Sequence, residues 1–241
     1  MTPPAHAGAT AATLLAQAGS RETPWARAMR YPHASRHDAR SGRDPCGSAG
    51  RRPTRHHWRM LVRHADPARD AAACVGIYTP YVTGTWVSFD EAAPTAREFE
   101  AQIVATSERY PWLVLEDAGV VIGYAYAAQH RVRAAYRWAV DVGIYVDPRR
   151  HRRGAGRMLY EALFDLLRRQ RLHSAIAGIG LPNEASIGLH RALGFEHVGT
   201  YRSIGWKAGA WRDVSWWQLR LAPDGAGDDA PPPEPLGPQR L

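Results

Sequence analysis

From Trp58 onward the apolar residues fall into short alternating runs, with stretches of helical period between them. Trp58 to His64 reads as a strand, and Asp66-Pro67 then opens a helix, with Asp66 as N-cap and proline at the first helical position. A second helix is predicted from Pro94 to Arg109. Pro111 to Glu116 and Val120 to Gln129 read as strands turning at Gly119, and Tyr136 to Val146 as a long strand ended by Asp147-Pro148. Over 153–171, Leu159, Leu163, Leu166 and Leu167 fall at i, i+4, i+7 and i+8, one face of an amphipathic helix. A buried strand (Ser174 to Ile179), a helix (Glu184 to Leu193, stopped by Gly194) and a hairpin (Phe195 to Gly205 with Trp211 to Leu221) complete the pattern. The mixture predicts an α/β (α+β) fold over 58–222.

The flanks differ in texture. Residues 1–57 hold few large apolar side chains and no persistent period, and residues 223–241 are acidic and proline-rich. Neither composition buries enough apolar area to offset chain ordering, so both are predicted to be disordered. The overall charge of +8 is uneven: residues 1–57 carry nine Arg against Glu22, Asp38 and Asp44. That basicity suits nonspecific contact with nucleic acid, but the folded part shows no nucleic-acid module. A start at Met60, with the preceding residues a translated upstream region, is the plainer reading. Ala11 to Ala18 lacks the preceding positive charge of a signal peptide, no apolar run is long enough for a membrane helix, and the compartment expected is the cytoplasm. Two cysteines exclude a disulfide framework or a cysteine-rich zinc site, and the His33/His37 and His56/His57 pairs lack completing ligands, so no metal is expected. Of 31 basic residues all but Lys207 are Arg, and Asn183 is the only Asn, so both singletons draw attention.

The chemistry concentrates where the strand Val142 to Val146 breaks at Asp147-Pro148 and His151-Arg152-Arg153-Gly154-Ala155-Gly156-Arg157 opens the amphipathic helix. Glycines at a helix start let backbone N–H groups converge on a diphosphate, which the helix dipole also favours. The run is neither a Walker A loop nor a dinucleotide fingerprint: no Gly-Lys-Ser/Thr follows, and position 159 is Leu. Downstream, a strand ends in Gly180-Leu181-Pro182-Asn183 and a helix ends in Gly194-Phe195.

These blocks resemble the GNAT acyl-CoA N-acetyltransferases, with their Arg/Gln-x-x-Gly-x-Gly/Ala loop and later Asn–helix–Gly-Phe signature. Tyr110 to Val114, Ala125 to Ala127, Arg133 to Tyr136, Ile179 to Asn183 and Gly209 to Val214 are similar, in order, to the phosphinothricin / methionine sulfoximine N-acetyltransferases. The resemblance spans 58–222 and implies a GNAT fold: a central, mostly antiparallel mixed sheet, splayed where acetyl-CoA binds. It implies direct acetyl transfer from acetyl-CoA to the α-amino group of a small amino-acid-like substrate, with a role in detoxification or resistance, no metal, and a homodimer. It assigns the pantetheine arm to the backbone of Ile144, Tyr145 and Val146, and the pyrophosphate to Arg152, Arg153, Gly154, Ala155, Gly156 and Arg157. Asn183 is assigned to the pantetheine end of acetyl-CoA. The first loop position, Arg or Gln in the family, is His151 here. The family's Glu on the central strand is Asp141, shorter by about 1.5 Å. His190 stands at the position of the acid for the departing thiolate and is expected to contribute more than Asp141. Arg131, Arg133 and Tyr136 are expected to hold the substrate, an Arg pair suiting a carboxylate or phosphinate. Phe89 and Trp86 are expected to wall the pocket, with Val214 closing it. The same fold acting on a protein N-terminus, or on an aminoglycoside, is the alternative; the Arg pair disfavours a polycation.

Overall fold

The structure, a computed structural model, describes residues 60–151, 153–222 and 232–241. Seven strands, β1 (Met60–His64), β2 (Trp112–Asp117), β3 (Val120–Gln129), β4 (Ala139–Val146), β5 (Ser174–Gly180), β6 (Glu196–Lys207) and β7 (Ala210–Arg220), form one sheet in the order β1-β2-β3-β4-β5-β7-β6. Every pairing is antiparallel except β4 with β5. Four helices, α1 (Pro67–Thr83), α2 (Ala96–Ser107), α3 (Ala155–Arg169) and α4 (Glu184–Ala192), cover its two faces.

Local signals account for the helix starts. The Asp66 carboxylate accepts from Arg69 N–H at 3.2 Å ahead of Pro67, and Thr95 and Glu98 make a reciprocal capping box on α2. The leucine face of α3 is buried on one side of the sheet with Val140, Val142, Ala175 and Phe195. On the other side Cys74 and Ile77 of α1 and Phe99 and Ile103 of α2 pack on Trp112, Val114 and Tyr124.

Two expectations change. β4 begins at Ala139 instead of Tyr136, because Tyr136 N–H and Arg137 N–H bond back to Arg133 and Ala134 carbonyls, closing a single 3-10 turn at Ala134–Tyr136. The C-terminal tail, expected to be loose throughout, is held over 232–241. Trp138 Nε1–H donates to Pro233 O at 2.9 Å, Arg137 forks onto Glu234, and Leu236 N–H donates to Gln170 O at 2.8 Å. Gln170 is 1% exposed, and Leu236 gives its main chain and side chain partners that water does not reach. The expectation for residues 1–57 falls outside the described residues, as does that for Arg152.

Candidate active site

β4 and β5 are paired only over Ala139↔Ser174, Val140↔Ala175 and Asp141↔Ile176. Beyond Asp141, β4 keeps its β3 partner to Val146, while β5 follows β7 to Gly180. The sheet therefore opens at the carboxyl ends of its one parallel pair, the usual site of ligand crevices in such sheets. Each strand feeds a helix there, β4 into α3 and β5 into α4, so two helix N-termini border the gap.

Asp147 N–H donates to Ile122 O at 2.8 Å. Backbone groups alternate sides along a strand, so Tyr145 bonds β3, while Ile144 and Val146 turn theirs to the gap. Val146 O already accepts from the Tyr81 hydroxyl at 2.6 Å, with His151 Nε2 3.1 Å away. The Tyr145 ring lies instead in an aromatic cluster, 4.8 Å from Tyr78 and 5.4 Å from Tyr124 between centroids. Of the three residues expected to hold pantetheine, Tyr145 thus faces away.

At the head of α3, Gly154 has φ 79° and no side-chain cap, so the first N–H groups of the helix stay free for an anion. Ala155 is buried and Arg153 exposed. Gly156 serves packing as well: a Cβ there would meet Leu189 Cδ2 at 2.9 Å. Arg157 turns along the helix to Glu161 and to Ala192 O, each at 3.2 Å, away from the loop. Asn183 caps α4, its Oδ1 accepting from Ser186 N–H at 3.1 Å, which leaves the amide Nδ2 available.

The face of the sheet under α1 and α2 carries a stack of aromatic rings. Tyr126 stacks on Trp112 at 4.5 Å, and its ring lies over Gly143, where an added Cβ would fall 2.6 Å from Cζ. Burial pushes the Tyr126 phenol up to about 12, so it stays protonated. Asp141 is on this same face, at the point where the strands part. Burial raises its pKa above the usual carboxylate value, opposed by the hydrogen bond from His130. His130 Nδ1 lies 2.6 Å from Asp141 Oδ1.

His130 was not foreseen. Ala128 is opposite Asp141 in the β3–β4 register, and His130 is two residues further on, the diagonal neighbour on one face. Only that register brings the pair together, and no sequence spacing announces it. Tyr136 closes over the imidazole at 5.8 Å between centroids, while Arg131 and Arg133 are exposed in the same loop.

The loop between α1 and α2 covers the end of β5. Trp86 Nε1–H donates to Pro182 O at 2.9 Å, and Phe89 fills the space over Gly205 and Gly180. Lys207 anchors this loop through Asp90 O, and Tyr78 donates to Asp90 Oδ2 at 2.6 Å. That contact gives the singleton lysine a structural role. Val214 pairs with Gly180 and Tyr201 beside the loop.

His190 does not reach this site. It is 2% exposed, lies between Tyr160 and Phe195, and has both ring nitrogens engaged. Nδ1–H donates to Ser186 O at 2.7 Å, and the Tyr160 hydroxyl lies 3.2 Å from Nε2. Burial lowers its pKa, favouring neutral imidazole. The helical period put His190 on α4 correctly, but α4 turns that face onto α3.

Residues 66–216 match the acetyltransferase (GNAT) domain. A phosphinothricin N-acetyltransferase of Streptomyces viridochromogenes is 42% identical over 151 residues, 63% of this chain and 82% of that one. An L-methionine sulfoximine/L-methionine sulfone acetyltransferase of Salmonella typhimurium is 36% identical over 170 residues, 70% of this chain and 99% of its own length. The crystal structure of a phosphinothricin acetyltransferase from Sinorhizobium meliloti, in complex with AcCoA, superposes with TM-score 0.68 at 34% identity, covering 73% of this chain and 94% of that one. The crevice between β4 and β5 and these likenesses lead to one conclusion: the chain is an acetyltransferase and belongs to the GNAT family.

Proposed function

We propose that this protein moves the acetyl group of acetyl-CoA directly to the α-amino group of a small amino-acid-like acceptor of the phosphinothricin or methionine sulfoximine/sulfone type, a detoxifying reaction. The observation that carries the reading is Asp141: a carboxylate on the same sheet face as Tyr126, where β4 and β5 part. The residues fit acetyl-CoA. Ile144 and Val146 offer backbone groups to the pantetheine arm; Gly154, Ala155 and Gly156 with Arg153 receive the pyrophosphate; and Asn183 Nδ2 holds the arm's far end. Arg131 and Arg133 supply forked donors for the acceptor's anionic groups, with Tyr136, Phe89, Trp86 and Val214 around it.

Thiol release from acetyl-CoA is the test, run over phosphinothricin, methionine sulfoximine and methionine sulfone beside an N-terminal peptide and an aminoglycoside. Turnover on the amino-acid analogues is expected; turnover confined to the peptide or the aminoglycoside overturns the acceptor assignment. A homodimer is proposed through the edge hairpin, where Val198, Tyr201, Ile204, Trp206 and Trp211 are all more than half exposed. No helix among the described residues is long and apolar enough to cross a membrane. The cytoplasm is proposed as the compartment because the reaction consumes acetyl-CoA.

Gly154→Val is expected to raise KM for acetyl-CoA at least about tenfold, since a non-glycine residue at positive φ costs about 1–2 kcal/mol and displaces the free N–H groups. Measured KM with a circular dichroism check on folding decides this. Gly156→Val answers a different question, because its side chain strikes Leu189 and lowers the melting temperature.

A further inference from the structure

We propose that His130 is a catalytic residue, its imidazole Nε2 accepting the proton of the acceptor's ammonium group while Asp141 positions the ring. The proposal rests on the acetyl-transfer reading above and adds the atom that touches the amine. Its basis is geometric. The Nδ1–H of His130 donates to Asp141 Oδ1 at 2.6 Å, a distance typical of a charge-assisted bond. That bond fixes the tautomer and leaves Nε2 as the lone-pair nitrogen. Among the described residues Nε2 has no hydrogen-bond partner, and the His130 side chain is 15% exposed, not sealed from solvent. Tyr136 holds the ring edge-on. The pair sits where β4 leaves β5, so a group bound beside the half-buried Tyr126 meets the proposed acetyl site and this nitrogen together.

Asp141 is less suited to take the proton itself. Its carboxylate is short, and one oxygen is already committed to the ring. A base positioned by a second group is the general form of such pairs. The charged and titratable groups around the pair are Arg131 from the same loop, Tyr126 from β3, Tyr136, and Asp90 of the α1–α2 loop, which acts on Tyr126.

The step balances without a further reactant. The ammonium gives one proton to Nε2, forming an imidazolium that the Asp141 carboxylate stabilises and that later releases the proton to water. The freed lone pair forms the C–N bond at the thioester carbonyl carbon. As the C–S bond breaks, sulfur leaves with the electron pair and takes the second nitrogen proton, giving amide and free thiol.

The test uses the full chain with acetyl-CoA and the best amino-acid acceptor. His130→Ala is expected to lower kcat/KM for the acceptor by at least about 10²-fold at pH 7, the scale of a general base, with acetyl-CoA affinity unchanged. The deficit shrinks as pH approaches the amine's own pKa, and added imidazole restores part of the rate. His130→Ala/Asp141→Glu recovers activity, because the longer carboxylate reaches the amine. His130→Gln, with melting temperatures of all variants, separates chemistry from folding. Activity of His130→Ala or His130→Gln within a few-fold of wild type at pH 7, or a folded His130→Ala unmoved by imidazole with an unchanged pH profile, overturns the proposal. Wild-type protein that acetylates no amino acid refutes instead the acceptor assignment on which it rests.

Discussion

Replacing Arg63 by alanine is expected to cost the fold about 3–5 kcal/mol, the range for removing one partner of a buried ion pair. The Arg63 guanidinium forks onto Asp70 at 2.6 and 2.7 Å and also donates to Glu116 at 2.6 Å, with Arg69 joining Glu116 from α1. The Asp70 side chain is 1% exposed. It also accepts from Asp66 N–H at 2.7 Å, so Asp70 holds β1 to the start of α1, and Arg63 carries the link on to Glu116 of β2. Burial alone would raise the Asp70 pKa, but Arg63, the Asp66 N–H and Arg69 together outweigh it and hold the carboxyl below its ordinary value. A depressed carboxyl contributes stability above its unfolded pKa, which is lost as pH falls through the folded one. Without Arg63 only the Asp66 N–H and Arg69 remain to oppose burial, so the depression shrinks. The deficit should hold from pH 7–8 down to about pH 4, where an unfolded aspartate titrates, and narrow from there toward about pH 3. Chemical denaturation of wild type and Arg63→Ala at both ends of that range measures it. A deficit independent of pH would place the effect in packing of the Arg63 stem.

His190→Ala is expected to destabilise the protein by about 2–5 kcal/mol, as large-to-small core changes do, while kcat stays within a few-fold of wild type. The ring fills the space among Tyr160, Phe195 and the turn at Ser186, and its removal orphans the buried Tyr160 hydroxyl. The pH dependence also follows. With its pKa lowered by burial, the folded state binds this proton less readily than the unfolded chain. Wild-type stability should therefore decline as pH falls below about 6.5, the unfolded imidazole value, until the lowered pKa is passed. His190→Ala should lack that part of the decline. Melting temperatures and kcat between pH 6 and 9 test both statements. A loss of about 10²-fold in kcat with an unchanged melting temperature would return His190 to the thiol-acid role.

Much of this protein is written locally. Asp66-Pro67 starts α1 because a cap and a proline act on the next turn alone. The four leucines of α3 mark its buried face because helical period is a property of neighbouring residues. The side proposed for the cofactor is legible for the same reason: a contiguous strand, turn and helix present backbone groups, so Ile144 to Gly156 and the cap at Asn183 carry their signal in order along the chain. What the pattern could not hold depends on partners far away in sequence. His130 meets Asp141 only through the β3–β4 register, and Gly156 needs its small size because Leu189 of α4 lies against it. His190 turns inward because α4 docks on α3 through Tyr160, and residues 232–241 find partners only once Trp138 and Gln170 are assembled. Sequence alone determined the elements and the family resemblance. The tertiary structure decided which acid–base groups lie at the crevice between β4 and β5 and which are buried, because register and packing face arise from the joint burial of segments that no local period couples.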